Sequence, residues 1–182
     1  MHESSAPMIS PAFVDMMAAY NAEMNRRVYA AAARLSDHER RLPRGAFWGT
    51  IHGTLCHLLW GDRMWMSRFD GWEKPAVAIT DSATLFSDFD ELQQARIDAD
   101  GKISAWAARV SDAWLADDMV WRSAAAGREM RAPRGLLVTH FFNHQTHHRG
   151  QVHALITAAG EKTGDTDLFL VVNSPAAAAS QR

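Results

Sequence analysis

Thr139-His140-Phe141-Phe142-Asn143-His144-Gln145-Thr146-His147-His148-Arg149-Gly150-Gln151-Val152-His153-Ala154-Leu155 is the stretch on which the fold turns. Four of the chain's nine histidines fall within residues 140–148. With successive residues about 100° apart on a helix, Leu137, Phe141, Leu155 and Ala158 lie within about 60° of His144, as do His140, His147, His148 and Gln151. Apolar residues at both ends of this stripe predict that it faces a core, with histidines where a bundle would place Leu or Ile. A buried, unpaired polar group costs roughly 1–3 kcal/mol, so several together need a shared purpose. His153 falls on the opposite side and is expected to face solvent.

His144 and His148 stand four residues apart, the spacing by which a helix presents two imidazoles to one ion. The alternatives are a polar core network or a histidine-rich surface. A third ligand has to come from another helix, and His57 is the candidate, within Thr50-Ile51-His52-Gly53-Thr54-Leu55-Cys56-His57-Leu58-Leu59-Trp60-Gly61-Asp62. Gly53, Trp60, Gly61, Met64 and Trp65 share its side of that helix. The two glycines leave space for a ligand or simply allow tight helix packing. His52, about 140° away, misses the site, and Cys56 reads as a packed core thiol. A zincin would carry H-E-x-x-H, but Gln145 stands where its general base would be. The paired Glu-x-x-His of a di-iron bundle is absent. Three neutral histidines match an open zinc site, and nickel suits the same ligands.

Outward from this stretch the chain reads as four long helices. Ser10 and Pro11 form an N-cap and first-turn proline for a helix over 10–34, with Phe13, Met16, Met17, Tyr20, Met24 and Val28 at helical spacing. Ser36-Asp37-His38-Glu39 has the form of a capping box. A second long helix is predicted over about 50–70, then a loop from Gly71 to about Ser87. A third helix is predicted from there to about Asp117, with Gly101 inside it. Residues 120–132, around Gly127, suggest a small hairpin or an irregular loop. The last helix runs from Pro133 to Gly160, a natural residue just past a helix end. The expected fold is an all-α four-helix bundle with crossover connections, one domain over 1–173 and a loose tail over 174–182.

Length and composition agree. A chain of 182 residues is one domain long, and 47% hydrophobic residues with seven tryptophans supply a core. A net charge of −2 lacks the clustered positive excess that nucleic acid requires. One cysteine makes no internal disulfide. Neither an export segment nor a membrane span is visible, so a cytoplasmic location is expected.

The run His144-Gln145-Thr146-His147-His148-Arg149-Gly150-Gln151 and its flanks, together with Leu55-Cys56-His57-Leu58-Leu59-Trp60-Gly61-Asp62 and Trp65, resemble the signatures of the DinB/YfiT-like metalloenzyme family. The likeness runs from Ser10 to Asp167-Leu168. It implies a four-helix bundle, commonly a homodimer, with one divalent ion on His57, His144 and His148. His140 and His147 would then be pocket residues and Gln151 a hydrogen-bonding neighbour. A branch resembling mycothiol-dependent maleylpyruvate isomerase has glutamate where this chain has His144, which weakens transfer of that reaction.

The expectation is a metal-dependent enzyme acting on a small molecule, with a low-molecular-weight thiol as a candidate co-substrate. His140 and His147 are the candidates for moving protons, and Trp60, Met64 and Trp65 for pocket walls. The competing reading is a non-catalytic metal bundle serving dimerisation or a protein partner, closed by a fourth ligand such as His140. Free histidine titrates near ~6.5, so metal affinity is expected to fall from about pH 7 towards 5.

Overall fold

A computed structural model describes residues 7–123 and 126–172; the expected tail over 174–182 lies outside them. Helix α1, Pro11–Ala33, opens with the Ser10 side chain accepting from the Phe13 amide. A short α2, Asp37–Arg41, carries the complete capping box between Ser36 and Glu39. Thr50 caps α3, Ile51–Phe69, by accepting from the Gly53 amide. A 3-10 turn, Ile79–Thr84, interrupts the following loop. Helix α4, Phe89–Ala107, is capped by Asp88 and passes through Gly101 unbroken. Then come α5, Asp112–Ala116, strands β1, Asp118–Ser123, and β2, Arg128–Pro133, α6, Arg134–Ala158, and α7, Leu168–Val172. The end of α6 is a full Schellman closure: Gly160, at φ 93°, donates to Thr157 O and Glu161 to Ile156 O.

α1 packs on α4 and α6, and α3 on α6 and α4. The connections α1 to α3 and α4 to α6 therefore cross the bundle diagonally, as the crossover topology expects. No helix among the described residues is long and apolar enough to cross a membrane.

Three local features sharpen the expected layout, one of them by correction. The third helix does not reach Asp117: it stops at Ala107, and the Ser111 side chain accepts from the Trp114 amide to start α5. Of the two readings around Gly127 the hairpin is the one present: β1 pairs antiparallel with β2, with Trp121 opposite Met130. The short α7, unforeseen in the sequence, tucks Val171 against Tyr20 and Met24.

Two apolar clusters fill the bundle ends, one around Leu55, Leu92 and Ile156, the other around Met66, Ile103 and Phe141. Between them lies a polar layer. Arg96 donates to Asp62 at 2.5 Å and pairs with Asp100 at 2.8 Å. Gln145 donates to the other Asp62 oxygen at 2.9 Å, and Asn25 to Asp100 at 2.9 Å. One network thus joins all four long helices. Burial lifts the Asp100 carboxyl to about 6 against the pull of Arg96.

Asp62 is fully buried and Arg96 is 2% exposed, so removing the acid leaves one edge of a buried guanidinium unpaired, with Asp100 alone on the other. Asp62→Ala is expected to destabilise the fold by about 3–5 kcal/mol, and Asp62→Asn by less. Urea unfolding monitored by circular dichroism measures both.

Candidate metal centre

His57 sits near the middle of α3, while His144 and His148 lie one turn apart on the facing part of α6. Their ring centroids are 5.5 Å apart for His57 and His144, 4.6 Å for His57 and His148, and 4.5 Å for His144 and His148. One nitrogen from each lies within 4.8 Å of the others, and among the described residues this group could hold a metal ion.

The surrounding bonds set which nitrogen each ring offers. Ser82 uses its hydroxyl proton on Ile79 O at 2.7 Å, so its oxygen accepts from His57 Nδ1 at 2.8 Å. The proton is then on Nδ1 and the lone pair on Nε2. His148 Nδ1 donates to Gln151 Oε1 at 2.8 Å, and the Gln151 amide nitrogen donates to His147 Nε2 at 3.2 Å. This pattern frees His148 Nε2 in turn. His144 makes no hydrogen bond among the described residues, and its buried Nδ1 has no partner. Two oriented imidazoles and one unpartnered one make a donor set that fits a divalent ion, with the outer hydrogen bonds such ligands characteristically have.

Backbone space matters as much as the donors. A Cβ on Gly61 would stand 2.6 Å from His144 Cε1, so no other residue admits that ring without a shift. A Cβ on Gly53 would instead meet Trp48 O at 2.7 Å. The two glycines therefore divide the readings between them: Gly61 makes room for a candidate ligand, and Gly53 serves close packing.

The histidine stripe is turned from its expected orientation. Val138, Gln145, Arg149, Val152 and Ile156 point into the core, while His140 and His147 are exposed and His144 is half-buried. Several core-facing positions of α6 are polar, Gln145 and Arg149 among them, so apolar spacing misplaced the buried arc. Gln145 turns away from the triad towards Asp62. His153 is half-buried and bonds Thr163, not solvent alone. His52 bonds Phe86 O at 2.8 Å, away from the triad, and Cys56 is buried.

The triad opens on a cleft of about 840 Å³ that includes Trp60, Met64, Trp65, His140, His147 and Gln151 in its walls. Sequence reading missed other parts of this wall. Trp48 stacks on His57 with centroids 3.8 Å apart and Trp121 reaches Trp65 from the hairpin; Ser82, missed too, is buried behind His57 on the 3-10 turn. Arg68 was missed as well, although it lies eleven residues beyond His57 and so only about 20° off its helix face.

Burial, with the neighbouring His148 and His144, pushes His57 down to about 3. Burial, with His148, His140 and His147, does the same to His144, also to about 3. His148 is lowered too, chiefly by burial. The folded protein therefore keeps His57 and His144 neutral through pH 5–7, and direct proton competition at these two rings begins at lower pH than free histidine suggests. The unfolded chain still protonates near ~6.5, so between the two values it binds more protons than the native state. Stability of metal-stripped protein is expected to be full above about pH 6.5 and to drain as pH falls towards 3, at up to ~1.4 kcal/mol per pH unit for each such histidine. Thermal melts from pH 8 to 4 measure this, and His57→Gln is expected to reduce the acid slope by about one proton.

No curated protein and no solved structure matches the chain. The family model described as the DinB family matches residues 8–176. With nearly the whole chain covered and the histidine triad assembled, the protein belongs to the DinB family.

Proposed function

We propose that His57, His144 and His148 hold one divalent ion, zinc or nickel, and that the chain is a metal-dependent enzyme acting on a small molecule. The observation that carries this reading is a triad of imidazoles, two of them oriented by hydrogen bonds from outside, facing an open apolar cleft. When bound, such an ion supplies Lewis acidity, drawing the proton from a water or thiol near neutral pH. Thiol-dependent transfer, isomerisation and hydrolysis all use that chemistry. Burial pushes the Cys56 thiol up to about 11, so a reacting thiol arrives as a co-substrate.

The chain's own residues supply the rest. Ser82 and Gln151 hold the rings of His57 and His148 in orientation. Trp48 stacks on the His57 ring and Trp60 lies nearly parallel to it at 6.0 Å, both in the cleft wall. His140 rests against the Trp65 ring, 5.2 Å between centroids, and burial together with Arg68 lowers its pKa. Exposed on the cleft and held below the usual imidazole range, it is suited to accept a proton from substrate. His140 stays outside the triad group, which favours an open coordination position over a closed structural site.

Titration calorimetry with zinc and with nickel is expected to show one ion per chain, with His57→Ala, His144→Ala and His148→Ala each abolishing tight binding. His153→Ala is expected to bind as wild type. Gly61→Ala, which drives a methyl into the His144 ring, and Gln151→Ala are expected to weaken binding roughly 10–100-fold. Wild-type protein that takes up neither ion overturns the reading.

A further inference from the structure

The cleft beside the triad has an uneven charge. Its walls carry four tryptophans, Trp48, Trp60, Trp65 and Trp121, and three cations, Arg68, Lys74 and Arg122; among the described residues no Asp or Glu lines it. Lys74 and Arg122 are exposed, whereas Arg68 is half-buried. Nine arginines among the described residues are held by a carboxylate. Arg68 is not one of them. Its guanidinium lies over the Trp65 ring, 4.6 Å from the centroid, and that same ring is in edge contact with His140. A planar cation laid on an indole keeps its N–H edge free for a planar anion.

Helix geometry sets the reach. Arg68 lies about 16 Å along α3 from His57 on nearly the same face. Helical side chains lean towards the N-terminus, which carries the guanidinium back towards the triad. The remaining span is roughly 10 Å, walled by Trp65 and Met64.

From this arrangement we propose that the cleft binds small carboxylates with an aromatic or bulky apolar body, the carboxylate paired with Arg68 and the body stacked among the tryptophans with its far end at the histidine triad. Arg68 is then a specificity-determining residue. The inference deepens the proposed function and rests on the cleft being the reaction site. Burial already disfavours the Arg68 charge, and a ligand carboxylate supplies the counter-charge that the chain withholds. A cationic ligand of the same shape meets three like charges and no acid.

The test is calorimetric binding of matched pairs, benzoate against benzamide and 2-naphthoate against 2-naphthamide, to zinc-loaded and to chelator-stripped protein. At least one acid is expected to bind about tenfold or more tightly than its amide in both forms. Arg68→Gln is expected to remove that preference while leaving amide binding unchanged, and Arg68→Lys to restore part of it. Circular dichroism melts establish that the variants are folded. The proposal is overturned if no acid outbinds its amide, or if Arg68→Gln weakens acid and amide alike. It is equally overturned if the preference vanishes on stripping the metal, because the ion and not Arg68 would then read the carboxylate. Failure of the metal reading has a different signature: no zinc uptake, with the Arg68-dependent preference intact.

Discussion

Asp62 on α3 and Gln145 on α6 meet at 2.9 Å in the middle of the bundle, and the candidate metal centre depends on that junction. Their immediate neighbours in sequence, Gly61 and His144, form the next contact across the same pair of helices, where a Cβ would leave only 2.6 Å. A hydrogen bond to a fully buried carboxylate tolerates little sliding, because Asp62 also holds Arg96 and has no water to turn to. The polar layer therefore sets the register of α3 against α6, and the register brings His57 opposite His144 and His148. Interactions that look like a cost in the core are what align the site.

The site itself is assembled from both regular and irregular parts. α3 and α6 supply the imidazoles, yet the proton on His57 Nδ1 is directed by Ser82, which sits on a 3-10 turn in the loop between α3 and α4. Trp48 comes from the segment before α3, and Trp121 from the hairpin that carries the chain from α4 to α6. The diagonal crossovers of the bundle thus become the walls of the cleft. Their burial of the triad lowers the pKa values of the histidines, which keeps the nitrogens free of protons where an ion needs lone pairs.

Local signals were legible wherever the physics is local. Ser10-Pro11, the Ser36 to Glu39 box, Thr50 and Gly160 mark helix ends because each cap is a hydrogen bond within a few residues, or a backbone angle glycine alone adopts cheaply. The four-residue spacing of His144 and His148 likewise needs only helix geometry. Ser111 was equally readable as a cap, but the apolar run through Trp106, Val110 and Trp114 obscured the break before α5.

The sequence by itself determined the four long helices, the pairing of His144 with His148, and His57 as their partner on another helix. Only the tertiary structure decided how far α6 is rotated. Gln145 donates to Asp62 and the Arg149 guanidinium lies over the Tyr20 ring across the bundle, so polar residues occupy the buried arc and His140 and His147 are left at the rim. Ser82, Trp48, Trp121 and Arg68 likewise gained meaning only in three dimensions. Each reaches the triad or its cleft from a segment whose sequence carries no periodic signal towards it, or, for Arg68, from three helical turns away. Residues far apart in the chain acquire a common role only when packing brings their side chains around one space.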